Sequence, residues 1–166
     1  KLDAVVAEGA PPIADQMLLQ VWSRKGRQAI RMVAERHAAP AEVALAPGQY
    51  RVLATYKNAR AVRDIVVTGP SDRRKTINLK AGEIGLELLQ RVGGKRVRDQ
   101  IVWRVARYKR GNGSGTEVAK VSHSNPSLLL QEGWYEVAAS HGDHTTEHVV
   151  EVSAGTRFDY ALVKNR

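Results

Sequence analysis

The sequence predicts an all-β protein made of two tandem antiparallel β-sandwich domains, residues 1–80 and 81–166. Three observations lead there. The chain repeats itself: "AEVALAPGQYRVLATY" at 41–56 lies on "PSLLLQEGWYEVAASH" at 126–141 with an offset of 85. Apolar residues recur at every second position within short runs, the period of a half-buried strand. Turn signals rich in Gly, Pro, Asn and Asp separate those runs, which suggests roughly seven short strands per unit.

The repeat extends in both directions. Upstream, "ADQMLLQVW" at 14–22 lies over "RDQIVWRVA" at 98–106 with an offset of 84, and downstream "TINLK" at 76–80 lies over "DYALV" at 159–163 with an offset of 83. The offset changes only in loop-like stretches, where length changes are tolerated.

In chain order, "EGAPP" is a turn signal, and "QMLLQVWS" is then a strand with Met17, Leu19 and Val21 on one face. After "RKGR" comes "RQAIRMVAERHA" at 27–38, whose residue types favour a helix. Its counterpart "GTEVAKVSHSN" at 115–125 is strand-like through Val118 and Val121, and two copies of one fold agree, so both are assigned as strands. "YRVLATY" turns Tyr50, Val52 and Ala54 inward, and Ile65 and Val67 continue the pattern before "GPSD". The joint "LKAGEIGL" is short: with the second unit's first strand starting near Ile84, only residues 81–83 are slack. Three residues span at most about 10 Å, so a semi-rigid rod is expected, with Trp22 at the joint. The second unit repeats the order. Ile101, Trp103 and Val105 face inward, then Tyr135, Val137 and Ala139, then Val150 and Val152, with turns at "VGGK", "GNGSG", "QEGW" and "HGDH".

The pattern L.PG.Y.V.A is carried by Leu45, Pro47, Gly48, Tyr50, Val52 and Ala54, and again by Leu130, Gly133, Tyr135, Val137 and Ala139. It resembles the transthyretin-like or carboxypeptidase-regulatory-like sandwiches, which include Cna type-B and PEGA modules, within the broader immunoglobulin-like class. The resemblance implies a stalk, spacer, adhesion or docking module of an envelope or secreted protein, with a periplasmic, cell-surface or secreted location. It does not extend to the isopeptide chemistry of Cna type-B modules. Lys1 sits at the very start of the first unit beside a candidate Asn78, and the second unit has Asp159 without a strand Lys in "EIGLEL".

Composition narrows the function. There is no Cys, so neither a disulfide framework nor a thiolate metal site exists, and cytoplasm stays open alongside the extracytoplasmic compartments. No apolar run approaches the roughly 20 residues of a membrane span. The chain begins at Lys1 rather than Met, as a matured or truncated form does. The 26 Lys and Arg against 17 Asp and Glu, a formal +9, favour association with polyanions without locating a site.

Residues shared by both copies are assigned to folding, and those unique to one copy to candidate function. Trp22 and Trp134 point away from the inward strand positions and are candidates for a partner surface. Arg104, Arg107, Lys109 and Arg110 in "RVARYKR", with "KRVR" before them and "SDRRK" in the first unit, are candidates for binding an anionic polymer. Envelope polysaccharide, lipid head groups and nucleic acid are the chemistries weighed, nucleic acid being disfavoured because aromatics for base stacking are few. The stretch "HGDHTTEH" holds His141, Asp143, His144 and His148, ligand types for Zn, Ni or Cu. His144 and His148 are about 13 Å apart along a strand, which disfavours a metal. No G-x-S-x-G, P-loop, dinucleotide fingerprint or H-E-x-x-H occurs, and no cofactor is expected. The reading is a non-enzymatic interaction or spacer module, partnered by a protein or by other domains of a longer chain. An anionic-polymer binder and a small metal-binding protein using the 141–148 loop are the alternatives.

Overall fold

A computed structural model describes residues 1–69, 74–111 and 115–164, which form strands and no helix. The backbone divides into two compact units, Lys1–Lys80 and Ala81–Arg166. In the first, the strands are β1 (Leu2–Val5), β2 (Gln16–Lys25), β3 (Gln28–Ala38), β4 (Gly48–Tyr56), β5 (Ala59–Val67) and β6 (Lys75–Asn78). In the second they are β7 (Ala81–Leu89), β8 (Val102–Arg107), β9 (Glu117–Ser122), β10 (Ser127–Gln131), β11 (Gly133–His141), β12 (His144–Val152) and β13 (Arg157–Val163).

Each unit has a four-stranded antiparallel sheet, in the order β3-β2-β4-β5 in the first and β12-β11-β8-β9 in the second. The smaller sheets are β1-β6 and β10-β7-β13. Both contain a parallel pair, β1 with β6 and β7 with β13, in which the first and last strands of a unit lie side by side. Alternation marks which face of a strand is buried and is silent on the direction of its neighbour, so this pairing is decided by the fold. Only an isolated bridge stands in the first unit where β10 stands in the second. Leu2 and Ala41 exchange backbone hydrogen bonds of 2.7 and 2.8 Å there.

Burial follows the period of two. Met17, Leu19 and Val21 on β2 and Tyr50, Val52 and Ala54 on β4 are buried in the first unit. In the second, Trp103, Val105, Tyr135, Val137 and Ala139 of the larger sheet pack with Ile84, Leu86 and Leu88 of the smaller one, the two inner faces of a sandwich. Trp103 is fully buried, and its Nε1–H donates to the His123 carbonyl at 2.8 Å, so the indole enters the core with its one polar atom satisfied. Residues 28–38 form strand β3 despite their helix-favouring composition, because β2 offers a ladder along their whole length.

The repeated "GxY" has one structural meaning in both copies. The Tyr50 hydroxyl donates to the Ala46 carbonyl at 2.8 Å, and the Tyr135 hydroxyl donates to the Gln131 carbonyl at 2.7 Å. Each bond reaches four residues back and pins the turn that precedes the strand to the strand itself, the arrangement called a tyrosine corner in immunoglobulin-type sandwiches.

Residues 81–83, expected to be slack, are the start of β7: Ala81 is buried, and Gly82 pairs with Leu130. The strand assignment stops at Asn78 and resumes at Ala81, so Leu79 and Lys80 are the residues between. A Cβ on Gly82 would sit 2.2 Å from the Ser153 carbonyl oxygen. Alternation alone placed Ile84 on the first strand and missed that a glycine can extend it.

Replacement of Gly82 with Ala is expected to cost the second unit about 1–3 kcal/mol, because backbone must move to admit the methyl group. Tyr135→Phe and Tyr50→Phe are each expected to cost about 1 kcal/mol through a lost buried hydrogen bond. Urea unfolding of the three variants beside the native chain checks both figures, and native-like midpoints would contradict them.

Candidate interaction surface

Of the predicted site residues, the outer faces of the two large sheets carry Trp22, Trp134 and Arg104. On β11, Trp134 alternates with buried Tyr135 and is 53% exposed, opposite Glu151 of β12. Its carbonyl accepts the Tyr108 N–H at 2.9 Å, which holds this end of the strand against the segment after β8. Val149, also exposed, lies on the same outer face opposite Glu136. Arg104 of β8 is exposed between Ala138 and Lys120, and Lys109 and Arg110 are exposed beyond the end of the strand. The outer face thus places Trp134, Val149 and Glu136, Glu147 and Glu151 on β11 and β12 beside Arg104 and Lys120 on β8 and β9.

Arg107 does not belong with the other basic candidates. It follows Trp103 and Val105 at the same two-residue spacing and sits opposite Tyr135, so it is turned to the inner side. Its guanidinium lies 4.7 Å from the Tyr135 ring centroid and donates to the Glu132 carbonyl at 3.1 Å and to Gln131 Oε1 at 3.0 Å. The side chain covers the ring and ties down the turn before β11, a packing role for a charged residue. Burial pushes the Tyr135 phenol up, and the Arg107 charge partly opposes that shift. The inward alternation of 101, 103 and 105, carried one step further, was the sequence signal for this role.

The histidines disperse. His141 and His144 close the β11–β12 hairpin opposite each other, while His148 lies opposite Val137, and Asp143 sits in the turn. His141 Nε2 is 3.2 Å from Asp99 Oδ2, and its Nδ1 is buried without a partner. Among the described residues, no three His, Asp or Glu side chains are grouped to hold a metal ion.

In the first unit Trp22 alternates with buried Val21 and is half-buried, between Met32 of β3 and Arg51 of β4 in the register. Arg51 makes a two-pronged bond to Asp64 of β5 at 2.9 and 3.1 Å, and Arg24 reaches the same carboxylate at 2.6 Å. This network crosses the outer face and was not anticipated from the sequence. The hydrogen bond from Arg51, reinforced by the Arg24 charge, holds the Asp64 carboxyl below the usual carboxylate range, and the same bond raises Arg51. Of the "SDRRK" stretch, residues 71–73 lie outside the described residues, and Arg74 pairs with buried Asp3 at 2.5 Å.

A cleft of about 410 Å³ over Gly85 of β7 is lined by Glu87, Arg96, Asn125, Ser127, Arg157 and Asp159. Its charges neutralise one another: Arg157 bonds Glu83 at 2.7 Å and Asp159 at 3.2 Å, and Arg96 bonds Glu87 at 2.5 Å.

No protein-family model and no curated protein sequence matches this chain. Among solved structures it is similar to the Bacillus anthracis TIE protein, with a TM-score of 0.41 and 12% identity over 99% of this chain and 33% of that one. It is similar to a Streptococcal ancillary pilin, with a TM-score of 0.35 and 10% identity over 99% of this chain and 62% of that one. It is also similar to the shaft pilin spaA from Lactobacillus rhamnosus GG, with a TM-score of 0.40 and 9% identity over 99% and 96% of the two chains. The chain spans about a third of the TIE protein's length and less than two thirds of the ancillary pilin's.

Because Asp64 binds its proton less readily folded than unfolded, its ion pairs contribute stability above the unfolded carboxylate value of about 4 and lose it as pH falls through the lower folded value. The expected outcome is that Asp64→Asn unfolds more easily than the native chain at neutral pH, and that the difference shrinks below about pH 4. Denaturant midpoints measured from neutral to acid pH give the comparison; a constant difference would contradict it.

Proposed function

We propose that this chain is a non-enzymatic interaction module of a surface or secreted protein, presenting the outer face of a sheet to a protein partner or to another domain of a longer chain. One observation carries the reading. Trp134 is more than half exposed near the start of an inner, regularly paired strand, with exposed Val149 on the same face and Glu136 and Glu151 around them. A rigid strand holds an aromatic anchor in water within a polar rim, the composition of a protein-binding patch. The extracytoplasmic setting, and the transthyretin-like type of sandwich, are supported by the L.PG.Y.V.A pattern of the first copy and by its repetition, with Glu132 in place of the proline, in the second.

Chemical crosslinking of the native protein in its own cells tests this. Lys120 and Lys109, exposed on the same sheet and just past it, are expected to crosslink to another polypeptide or to a distant part of the same one. A Trp134→Ser, Val149→Ser double variant is expected to lose those crosslinks while folding normally. Crosslinks that persist in the folded variant would remove this face from the interaction.

A further inference from the structure

The two large sheets treat their edges unequally, and in the same way in both copies. On one side β3 meets β2 with three register shifts, and β9 meets β8 with one. On the other side β5 and β12, each nine residues long, pair with β4 and β11 with no shift. Bulged edges resist the addition of another strand, and regular ones invite it.

The phase of the β5 edge follows from its hairpin. Tyr56 and Ala59 close a two-residue turn at Lys57 and Asn58, and such a closing pair is hydrogen-bonded. Counting along β5, residues 60, 62, 64 and 66 therefore turn their N–H and C=O groups away from β4. Among the described residues no strand pairs with that edge. Their side chains, Arg60, Val62, Asp64 and Val66, share the outer face, with Val62 at 57% and Val66 at 59% exposure.

This row is complementary to itself. If a second β5 runs antiparallel about a two-fold axis at Val62, then Val62 lies opposite Val62, Arg60 opposite Asp64 and Asp64 opposite Arg60. The edge groups are then in phase for three hydrogen-bonded pairs, each exchanging two N–H···O=C bonds. The opposed charges and the paired valines add favourable cross-strand contacts. The Asp64 side chain retains 41% exposure beside its own arginines, so it can receive Arg60 of the second copy as well.

The matching strand of the second unit lacks this property. A two-fold axis at Val149 of β12 sets Glu147 against Glu151, and one at Glu147 sets that residue against itself, while the Tyr160 hydroxyl already occupies the Glu151 carbonyl at 2.6 Å. We propose that two copies of this chain associate through the free edge of β5, in antiparallel register about Val62, joining their four-stranded sheets into one. The contact is isologous, so it closes as a dimer rather than growing into a filament. It goes beyond the Trp134 reading and uses none of the residues of that face.

The test is sedimentation equilibrium of the full purified chain from about 10 μM to about 1 mM, with hydrogen exchange at both ends of the range. A reversible dimer is expected, with the amides of Arg60, Val62 and Asp64 protected only at high concentration. Arg60→Asp sets like charges opposite each other. Val62→Pro removes an N–H that faces away from β4, a position where an edge strand tolerates Pro. Each is expected to raise the dimer Kd at least about tenfold. If Val62→Pro fails to fold by circular dichroism, Arg60→Asp and the exchange data decide. A native chain that stays monomeric to about 1 mM overturns the proposal. So does a dimer that Arg60→Asp leaves unchanged and whose β5 amides exchange alike at both concentrations. Either result leaves the crosslinking test of the Trp134 face untouched.

Discussion

In each unit a buried tyrosine hydroxyl bonds the carbonyl four residues upstream, and much of the architecture is arranged around that contact. The bond fixes where the chain turns into β4 or β11, the strand that carries the hairpin and forms the inner pairing of the large sheet. It also decides the phase of that strand. A one-residue slip would send Tyr50, Val52 and Ala54, or Tyr135, Val137 and Ala139, to the solvent face together. The second copy surrounds the corner with more: Arg107 covers the ring and bonds the turn carbonyl, where the first copy has Ser23 opposite Tyr50.

Charge is spread unevenly over this common frame. Residues 1–80 carry 14 Lys and Arg against 7 Asp and Glu, and residues 81–166 carry 12 against 10. The scarcer carboxylates are consequently shared, as Asp64 is by Arg51 and Arg24, or buried beside an arginine, as Asp3 is beside Arg74. The formal +9 is thus partly spent in holding neighbouring strands together. Exposed cations such as Arg104, Lys109 and Arg110 remain as a field, which raises association rates more than it selects a partner.

Duplication separates scaffold from specialisation most clearly at the sheet edges. β5 and β12 have the same length, the same two-residue hairpin and the same unbroken register. Their outward side chains differ: Arg60, Val62, Asp64 and Val66 in one, Thr145, Glu147, Val149 and Glu151 in the other. Backbone geometry offers both edges to a further strand, and side-chain charge discriminates between them.

The sequence by itself determined the all-β class, the duplication and the inward faces of most strands, because a period of two and a repeated turn signal are local properties that burial on one side imposes. It also placed Trp134 and Arg104 on the exposed side, since alternation about buried Tyr135 and Val105 requires it. Only the tertiary structure decided the parallel pairing of β1 with β6 and of β7 with β13, which joins residues a whole unit apart in the chain. It likewise set the Arg107 guanidinium against the Tyr135 ring, divided the histidines of the 141–148 loop among different neighbours, and brought Arg24 and Arg51 from two other strands onto the Asp64 carboxylate. These contacts depend on which strands become neighbours and in what register, and strand partnership is a non-local property that no single run of residues encodes.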